Sequence, residues 1–356
     1  MARSSRIVDV HTHVYLPRYV DMLKGRSQVP RIMEFEGQDR LLILPNEESD
    51  SSTKTGRPIG PEYVDPTYKL KFMDQHGIDI SIVSLANPWL DFVEESDAIK
   101  LATLINKDLQ QWCETHQRLY FFGALPTLSV KGCVDELHRI ASLSKAKGVI
   151  MGSHGLGKGL DDPLLEIVFK TAADVQIVIF LHPHYGLSPE LYGDRPNGHV
   201  LPLALGFPFE TSIALSRLIL CGIFDRIPDL KLLVAHSGGA LPFLAGRLDA
   251  CVSHDSHVAG RLQKPPSEYL KNLYYDAVNY QAPAMRTLVD LVGYDRIMFG
   301  TDNPFFPPLE ASKANKRWES VEMNRRAIST VLSDTGYTEM VLGGNAMNVF
   351  DLQYIE

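Results

Sequence analysis

The stretch "RIVDVHTHVYLP" places two histidines, His11 and His13, one residue apart at the end of an apolar run. Residues i and i+2 of a β-strand point to the same side, so both imidazole rings can converge on one point without distortion of the backbone. Neutral imidazole is the commonest protein ligand for a transition metal. The pair therefore predicts one side of a metal site, although the same spacing also arises by chance at a strand end.

Other side chains that can bind a metal follow further apolar runs. His182 ends "QIVIFLH", His236 ends "LKLLVAH" and Asp302 follows "RIMFGT". Three imidazoles and one carboxylate suit a single borderline metal ion such as Zn²⁺, with one position left for water or substrate. His236 could be a ligand, or an acid or base that faces this position. His154 and His184 also end predicted strands, where a structural hydrogen bond explains them as well as a substrate contact does.

Eight short apolar segments alternate with stretches of helical character. Most are continuous apolar runs, which is typical of strands covered on both faces of a parallel sheet. Eight such strands separated by amphipathic helices predict an α/β fold, the (β/α)8 TIM barrel, and such enzymes build their sites at the C-terminal ends of the strands. The polar or turn-forming residues predicted at these ends are His13, Asn87, Pro126, His154, His182, His236, Asn279 and Asp302.

Two polar segments interrupt this alternation. The first, about residues 25–66, is rich in Ser, Gly and Pro, and the second follows the fifth strand as "YGLSPELYGDRPNGHVLPLALGFPFET". Both fall on the side of the barrel that carries the histidines. We therefore expect walls or a lid over the barrel mouth rather than a linker, and one barrel domain over residues 1–356.

Composition restricts the partners and the location of the protein. The formal net charge is −8, with 35 basic and 43 acidic residues, and there is no basic run, so nucleic acid is not an expected partner. No apolar run approaches the roughly 18 residues of a membrane span, and the N-terminus does not resemble a signal peptide. We expect a cytoplasmic protein that does not contact membranes. Its four cysteines form no C-x-x-C pair and are interpreted as reduced structural residues.

Four segments resemble the decarboxylase branch of the amidohydrolase superfamily, which includes aminocarboxymuconate semialdehyde decarboxylase; they are "VDVHTH", "FLHPHYG", "AHSGGALPFLAGR" and "FGTDNPFFPP". Within that branch the chain is most similar to the fungal isoorotate (uracil-5-carboxylate) decarboxylases, through "SLANPW", "GLGKGLDDP", "GHVLPLALGFP" and the "GRP" of the first insertion. The resemblance covers essentially the whole chain. It implies a metal-dependent carboxy-lyase that acts on a small ring carboxylate.

The resemblance also implies how the metal is held. His11, His13, His182 and Asp302 match the metal ligands of the family, and His236 matches a histidine beside the metal that takes part in acid–base chemistry. A lysine that would bridge two metal ions is not evident in "KGVIMGSHG". We therefore expect one divalent metal ion, Zn²⁺ first and Mn²⁺ as the alternative.

Substrate-binding roles follow from the same resemblance. Arg57 matches the arginine that anchors the substrate, and Asn87 and Phe305 match pocket residues. Phe207 or Phe305 would pack on a planar ring. Arg247 resembles an arginine that crosses a dimer interface toward the neighbour's substrate, and an ion pair on a helix surface is its other interpretation. The family implies a homodimer.

The expected chemistry is non-oxidative decarboxylation. Loss of CO₂ directly from an sp² ring carbon leaves a poor vinylic anion, so the ring carbon should be protonated first. Asp302 is the leading proton donor, and His236 is its competitor or helper. Arg57 would bind polar oxygens of the substrate as a fork.

Uracil-5-carboxylate is the predicted substrate, and alternatives remain. A 2-hydroxybenzoate such as 6-methylsalicylate presents the same carboxylate beside an oxygen. A pyrimidine needs partners for its ring N–H and carbonyl groups, whereas a methylated benzene ring needs apolar walls. A metal-dependent lactone or amide hydrolase could use the same barrel. A non-catalytic protein is disfavoured because every matching ligand position is intact.

Overall fold

The computed structural model describes residues 6–44, 47–48, 56–195, 197–309 and 316–353. Numbered along the described chain, its strands are β1 (Val8–Val14), β2 (Arg31–Phe35), β3 (Gln38–Leu42), β4 (Arg57–Pro58), β5 (Ile80–Leu85), β6 (Leu119–Ala124), β7 (Ala146–Gly152), β8 (Val178–His182), β9 (Leu232–Val234), β10 (Tyr274–Asp276) and β11 (Ile297–Met298). Eight of them form one sheet in the order β1, β5, β6, β7, β8, β9, β10, β11. Each of these eight strands overlaps one of the eight predicted apolar segments, with β1 ending one residue later and β7 beginning one residue earlier. Neighbouring strands pair in parallel.

Hydrogen bonds between β1 and the residues that follow β11 close the sheet into a barrel. The Val10 N–H donates to the Phe299 carbonyl over 3.0 Å, and the His13 N–H donates to the Asn303 carbonyl over 2.7 Å. Thr12 forms a parallel bridge with Asn303. The predicted TIM-barrel fold is confirmed, and closure brings the end of β1 beside the segment that carries Asp302.

Helices follow most of the barrel strands, and sequence signals set their limits. The helix Pro66–His76 begins after Asp65, whose carboxylate accepts the Thr67 N–H, and ends at Gly77 with φ +60°. The long helix Glu95–Thr115 buries residues at helical spacing, namely Ala98, Ala102, Ile105, Asn106, Leu109 and Cys113. The remaining α-helices whose bounds fall within the described residues are Pro17–Lys24, Pro61–Val64, Val130–Ala141, Glu166–Asp174, Phe207–Leu220, Ile223–Arg226, Leu241–His254, Pro266–Leu270, Ala282–Val292, Glu319–Val331, Thr335–Glu339 and Asn345–Val349.

The first insertion contains a small antiparallel sheet, β2–β3–β4, that the sequence analysis did not predict. Phe35 pairs with Gln38 across a two-residue turn, in which Glu36 has φ +51° and Gly37 has φ +77°. Positive φ at both central residues is typical of a tight hairpin turn, and Glu-Gly is a weaker signal for it than Asn-Gly. The middle of the insertion, residues 45–46 and 49–55, lies outside the described residues.

The second insertion leads into an apolar helical stretch. Among the described residues, Pro202–Leu220 is the one stretch with the length and composition of a membrane span. Core helices of soluble proteins share that composition, and Leu215 and Leu218 of this stretch are buried in the barrel core. The composition is therefore weak evidence for a membrane span.

Candidate active site

Five polar side chains from four strand ends converge at the C-terminal mouth of the barrel. His11 and His13 lie on β1, His182 is the last residue of β8, His236 follows β9 and Asp302 follows β11. His11 and His13 are fully buried, and Asp302 is only 6% exposed. The structure thus brings together every residue predicted to bind the metal, with His236 beside them.

The polar atoms of this cluster lie close enough to share one ion. His11 Nε2 and His13 Nε2 are 3.0 Å apart, and Asp302 Oδ1 is 3.4 Å from each of them. His236 Nε2 lies 3.6 Å from the other oxygen, Asp302 Oδ2. One nitrogen each of His11, His182 and His236 also lie within 4.8 Å of one another. Two triads that share His11, namely His11–His13–Asp302 and His11–His182–His236, are therefore each compact enough for one metal ion.

Hydrogen bonds at Nδ1 orient the Nε2 lone pairs toward the centre of the cluster. His11 Nδ1 donates to Asp276 Oδ2 over 2.6 Å, and His182 Nδ1 donates to the Pro183 carbonyl over 2.7 Å. Because a carbonyl or carboxylate oxygen can only accept, the proton must be on Nδ1 in these contacts. His182 Nε2 is left buried without a partner among the described residues.

His13 follows the same pattern. When the Ser84 hydroxyl donates to the Thr12 carbonyl, 3.4 Å away, its oxygen can accept from His13 Nδ1 at 3.0 Å. With Nδ1 as the donor, three imidazoles at the barrel mouth keep a lone pair on Nε2, and the Asp302 carboxylate lies beside them. Three imidazoles and one carboxylate are the donor set of a divalent transition-metal site.

The charges of the cluster favour a cation at its centre. Burial lowers the pKa of His11, but the carboxylates of Asp302 and Asp276 outweigh burial and raise that pKa to about 10. Burial opposes ionisation of Asp302, yet the charge of His11 holds the pKa of this carboxyl well below its usual range. Burial lowers the pKa of His13 to about 4. The protein thus stabilises one positive charge here, as a metal site does.

Asp276 supports the cluster from behind, and the sequence analysis did not identify it. Besides the contact with His11, its Oδ2 accepts the His236 N–H over 2.9 Å. Its Oδ1 accepts the N–H groups of Ser237 at 2.9 Å and Val278 at 3.0 Å. These bonds hold His236 and Ser237 at φ +53° and +56°, a conformation that non-glycine residues rarely adopt.

A second buried support holds the Asp302 segment against β1. The Lys69 ammonium, 2% exposed, donates to Thr12 Oγ1 over 2.6 Å and to the side-chain oxygen of Asn303. On the same strand Asp9 accepts the Thr301 hydroxyl over 2.6 Å. Burial lowers the pKa of Lys69 and raises that of Asp9. No sequence motif singled out this network.

A cavity of about 520 Å³ opens onto the cluster. Predicted substrate-binding residues form part of its wall, namely Arg57, Asn87, Phe207 and Phe305. The guanidinium of Arg57 lies 5.7 Å from the centroid of the Phe305 ring. An adjoining cavity of about 440 Å³ shares Arg57, Asn87 and Phe207 and is also lined by both insertions.

Three other residues considered from the sequence lie away from this wall. Arg247 is exposed on the helix Leu241–His254 and lines neither cavity in this chain. His154 is half-exposed, with Nε2 3.6 Å from Glu210 Oε1. His184 packs behind the wall, where its carbonyl accepts Asn87 Nδ2 over 2.8 Å and its ring contacts Asp91. His184 therefore positions Asn87, and of the two cavities it lines only the adjoining one of about 440 Å³.

Comparisons with known proteins agree with this geometry. Residues 8–352 match the family described as amidohydrolase. The chain is 28% identical to 2-amino-3-carboxymuconate-6-semialdehyde decarboxylase of Dictyostelium discoideum, over 97% of this chain and 91% of that protein. It superposes with a TM-score of 0.94 on the apo crystal structure of Metarhizium anisopliae IDCase, an isoorotate decarboxylase 41% identical to it, over 99% and 98% of the two chains. Manganese-bound 5-carboxyvanillate decarboxylase of Novosphingobium aromaticivorans shares the fold, with a TM-score of 0.74, 22% identity and coverage of 99% and 98%.

Proposed function

We propose that this chain, which belongs to the amidohydrolase family, converts uracil-5-carboxylate to uracil and CO₂. The broader activity, metal-dependent decarboxylation of an aromatic or heterocyclic carboxylate, follows from its decarboxylase relatives. One observation carries the narrower proposal. The cluster of four histidines and Asp302 opens into a cavity whose walls combine aromatic rings with polar groups. Similarity to the isoorotate decarboxylase, at 41% identity over nearly the whole chain, supports the same substrate.

His11, His13, His182 and Asp302 would hold the divalent metal, since all four converge at the barrel mouth and His11 belongs to both compact triads. When bound, the ion supplies a Lewis acid that anchors the substrate carboxylate and polarises the adjacent ring oxygen. We propose Zn²⁺, because three imidazoles and one carboxylate suit this borderline ion. The manganese-bound relative makes Mn²⁺ the alternative. Elemental analysis of protein purified without added metal distinguishes the two ions.

Asp302 is our proposed proton donor to the ring carbon. Its Oδ1 faces His11 and His13, whereas its Oδ2 is directed toward His236 Nε2 at 3.6 Å. A substrate carboxylate placed beside Asp302 raises the pKa of this aspartate, since two like charges disfavour ionisation at close range. His236 is then the group that returns a proton to Asp302 after each turnover.

The rest of the wall holds the ring in place for this transfer. Phe305 contacts the ring of His13 edge to face, with centroids 5.6 Å apart, so its own position is fixed relative to the cluster. Phe207 lies on another part of the wall. Arg57 Nε is buried without a partner among the described residues. An unpaired guanidinium N–H at the wall suits a substrate oxygen and disfavours a wholly apolar ring.

The test compares two substrates with one enzyme preparation of known metal content. Uracil-5-carboxylate and 6-methylsalicylate are incubated separately, and product formation and CO₂ release are followed. We expect turnover of the pyrimidine and its loss in Asp302→Asn. Turnover of the salicylate alone would show that the substrate is a 2-hydroxybenzoate and not the pyrimidine. Ester or lactone hydrolysis without decarboxylation would contradict the proposal.

We also propose that the active unit is a homodimer. Phe243 is 82% exposed and Ile213 is 52% exposed, on two helices joined by a hydrogen bond of 2.9 Å from the Ala240 N–H to Ser212 Oγ. Arg247 lies one helical turn after Phe243. If this apolar face packs against a second copy of the chain, Arg247 would lie at the interface and could reach the site of that copy.

Mixed dimers test this arrangement. Arg247→Ala and Asp302→Asn chains should each be weakly active or inactive alone, and a co-expressed mixture should regain activity. The restored site combines Asp302 of one chain with Arg247 of the other. A mixture no more active than its components, or a monomer by light scattering, would contradict the proposal.

A further inference from the structure

We propose that Asn279 selects a pyrimidine substrate by accepting a hydrogen bond from a ring N–H group. This inference rests on the proposed function and deepens it. Asn279 follows β10 and lines the same cavity as His182, His236 and Asp302. A ring N–H is the feature that separates uracil-5-carboxylate from every 2-hydroxybenzoate, so a dedicated acceptor would set the substrate class.

The hydrogen bonds around Asn279 determine which amide atom faces which way. The Ser237 hydroxyl donates its one hydrogen to the Asp276 carbonyl over 3.0 Å. Its oxygen can then only accept from Asn279, so the amide atom 3.0 Å away must be Nδ2. The carbonyl atom Oδ1 is left on the other side of the amide group.

Oδ1 is a buried acceptor with no hydrogen-bond partner among the described residues. A buried acceptor without a partner is costly, and in a native protein it usually meets a water, an ion or a ligand. The metal-facing nitrogen His182 Nε2 shares this state, buried and unpartnered beside the same cavity. We infer that Oδ1 meets its donor when substrate is bound.

The backbone of Asn279 is held rigidly, as a selective acceptor requires. Asn324 Oδ1 accepts the N–H groups of Asn279 at 3.3 Å and of Tyr280 at 2.8 Å. Asn324 is fully buried, and its amide donates to the Gly300 carbonyl over 3.3 Å. These contacts keep Tyr280 at φ +65°. Because Asn279 cannot turn its amide without breaking the bond to Ser237, an analogue that lacks the N–H leaves Oδ1 unpaired.

The experiment uses 1-methyl and 3-methyl uracil-5-carboxylate, each of which lacks one ring N–H. Wild-type enzyme should lose about 10- to 100-fold in kcat/KM with one of these analogues. Asn279→Ala should lose a similar factor with the unmethylated substrate and show no further loss with that analogue. The size of the methyl penalty therefore depends on whether Asn279 is present, which a purely structural role does not explain.

Two further variants serve as controls for side-chain volume and for substitution of an asparagine outside the cavity. Asn279→Leu keeps the volume of the side chain but removes the acceptor, and should behave as Asn279→Ala does. Asn272→Ala removes an exposed asparagine near β10 and should match wild type with all three compounds. Metal content and melting temperature are measured for each variant. Equal methyl penalties in wild type and both Asn279 variants would overturn the inference while uracil-5-carboxylate remained the substrate. A folded, metal-loaded wild type inert toward uracil-5-carboxylate would overturn the proposed function itself.

Discussion

Replacement of Asp276 by asparagine is the sharpest test of how hydrogen bonds hold the histidines of the proposed metal site in place. The substitution keeps the shape of the side chain but removes its charge and replaces one acceptor oxygen by a donor. Oδ2 accepts from His11 Nδ1 and the His236 N–H, and Oδ1 accepts from the N–H groups of Ser237 and Val278. Either orientation of the new amide therefore sets its NH₂ group against two buried donors.

The magnitude follows from these four contacts. Each buried donor left unpaired costs about 1–3 kcal/mol, so two donors lower the free energy of unfolding by about 2–6 kcal/mol. The His11 Nδ1–H also loses the carboxylate that orients the ring, and loss of such a partner lowers metal affinity by about 10- to 100-fold. We expect a partly folded or metal-poor protein with little activity.

The assay is competition for the metal between protein and a chelator of known affinity, together with thermal unfolding. Asp295→Asn is the matched control, because Asp295 has a side chain 60% exposed and lies away from the cluster. Wild-type metal affinity and melting temperature in Asp276→Asn would refute the role that we assign to Asp276.

Further predictions concern stability and metal loading. Lys69→Met should lower the free energy of unfolding in urea by about 1–3 kcal/mol, because Thr12 and Asn303 lose a buried donor; unchanged stability would contradict that support. Burial lowers the pKa of His76 to about 4 in the folded chain, whereas the unfolded chain binds this proton near pH 6.5. Stability should therefore fall as the pH drops from about 6.5 to 4, and less steeply in His76→Gln; parallel pH profiles of melting temperature would contradict this. Chelation of the metal should lower the melting temperature and re-addition should restore it, whereas a temperature indifferent to metal would count against a site that stabilises the fold.

The barrel, and the convergence of His11, His13, His182 and Asp302 at its mouth, could be predicted because their signals are local. Each strand is a short apolar run, and His13, His182 and Asp302 stand at strand ends where a barrel gathers its functional groups. Asp276 and Lys69 could not be found in this way. His11 and Asp276 are 265 residues apart in sequence, and only barrel closure shows that they touch.

The hairpin of the first insertion and the orientation of the cavity residues could not be predicted from the sequence either. The β2–β3 hairpin has a turn signal, Glu36-Gly37, but its strands mix polar and apolar residues, so they resemble an irregular loop. The sequence marks Asn279 only as a strand end, because the direction of its amide depends on the hydrogen of Ser237. Arg247 is exposed and lines neither cavity of its own chain, so its predicted role requires a second copy.

Titration of metal-free protein with Zn²⁺, with uracil and CO₂ measured from uracil-5-carboxylate at each step, shows whether decarboxylation depends on one metal ion. We predict that activity rises in proportion to added metal and saturates at one ion per chain. Uracil formation that does not depend on metal, saturation only at two ions per chain, or a fully loaded protein that forms no uracil would contradict it.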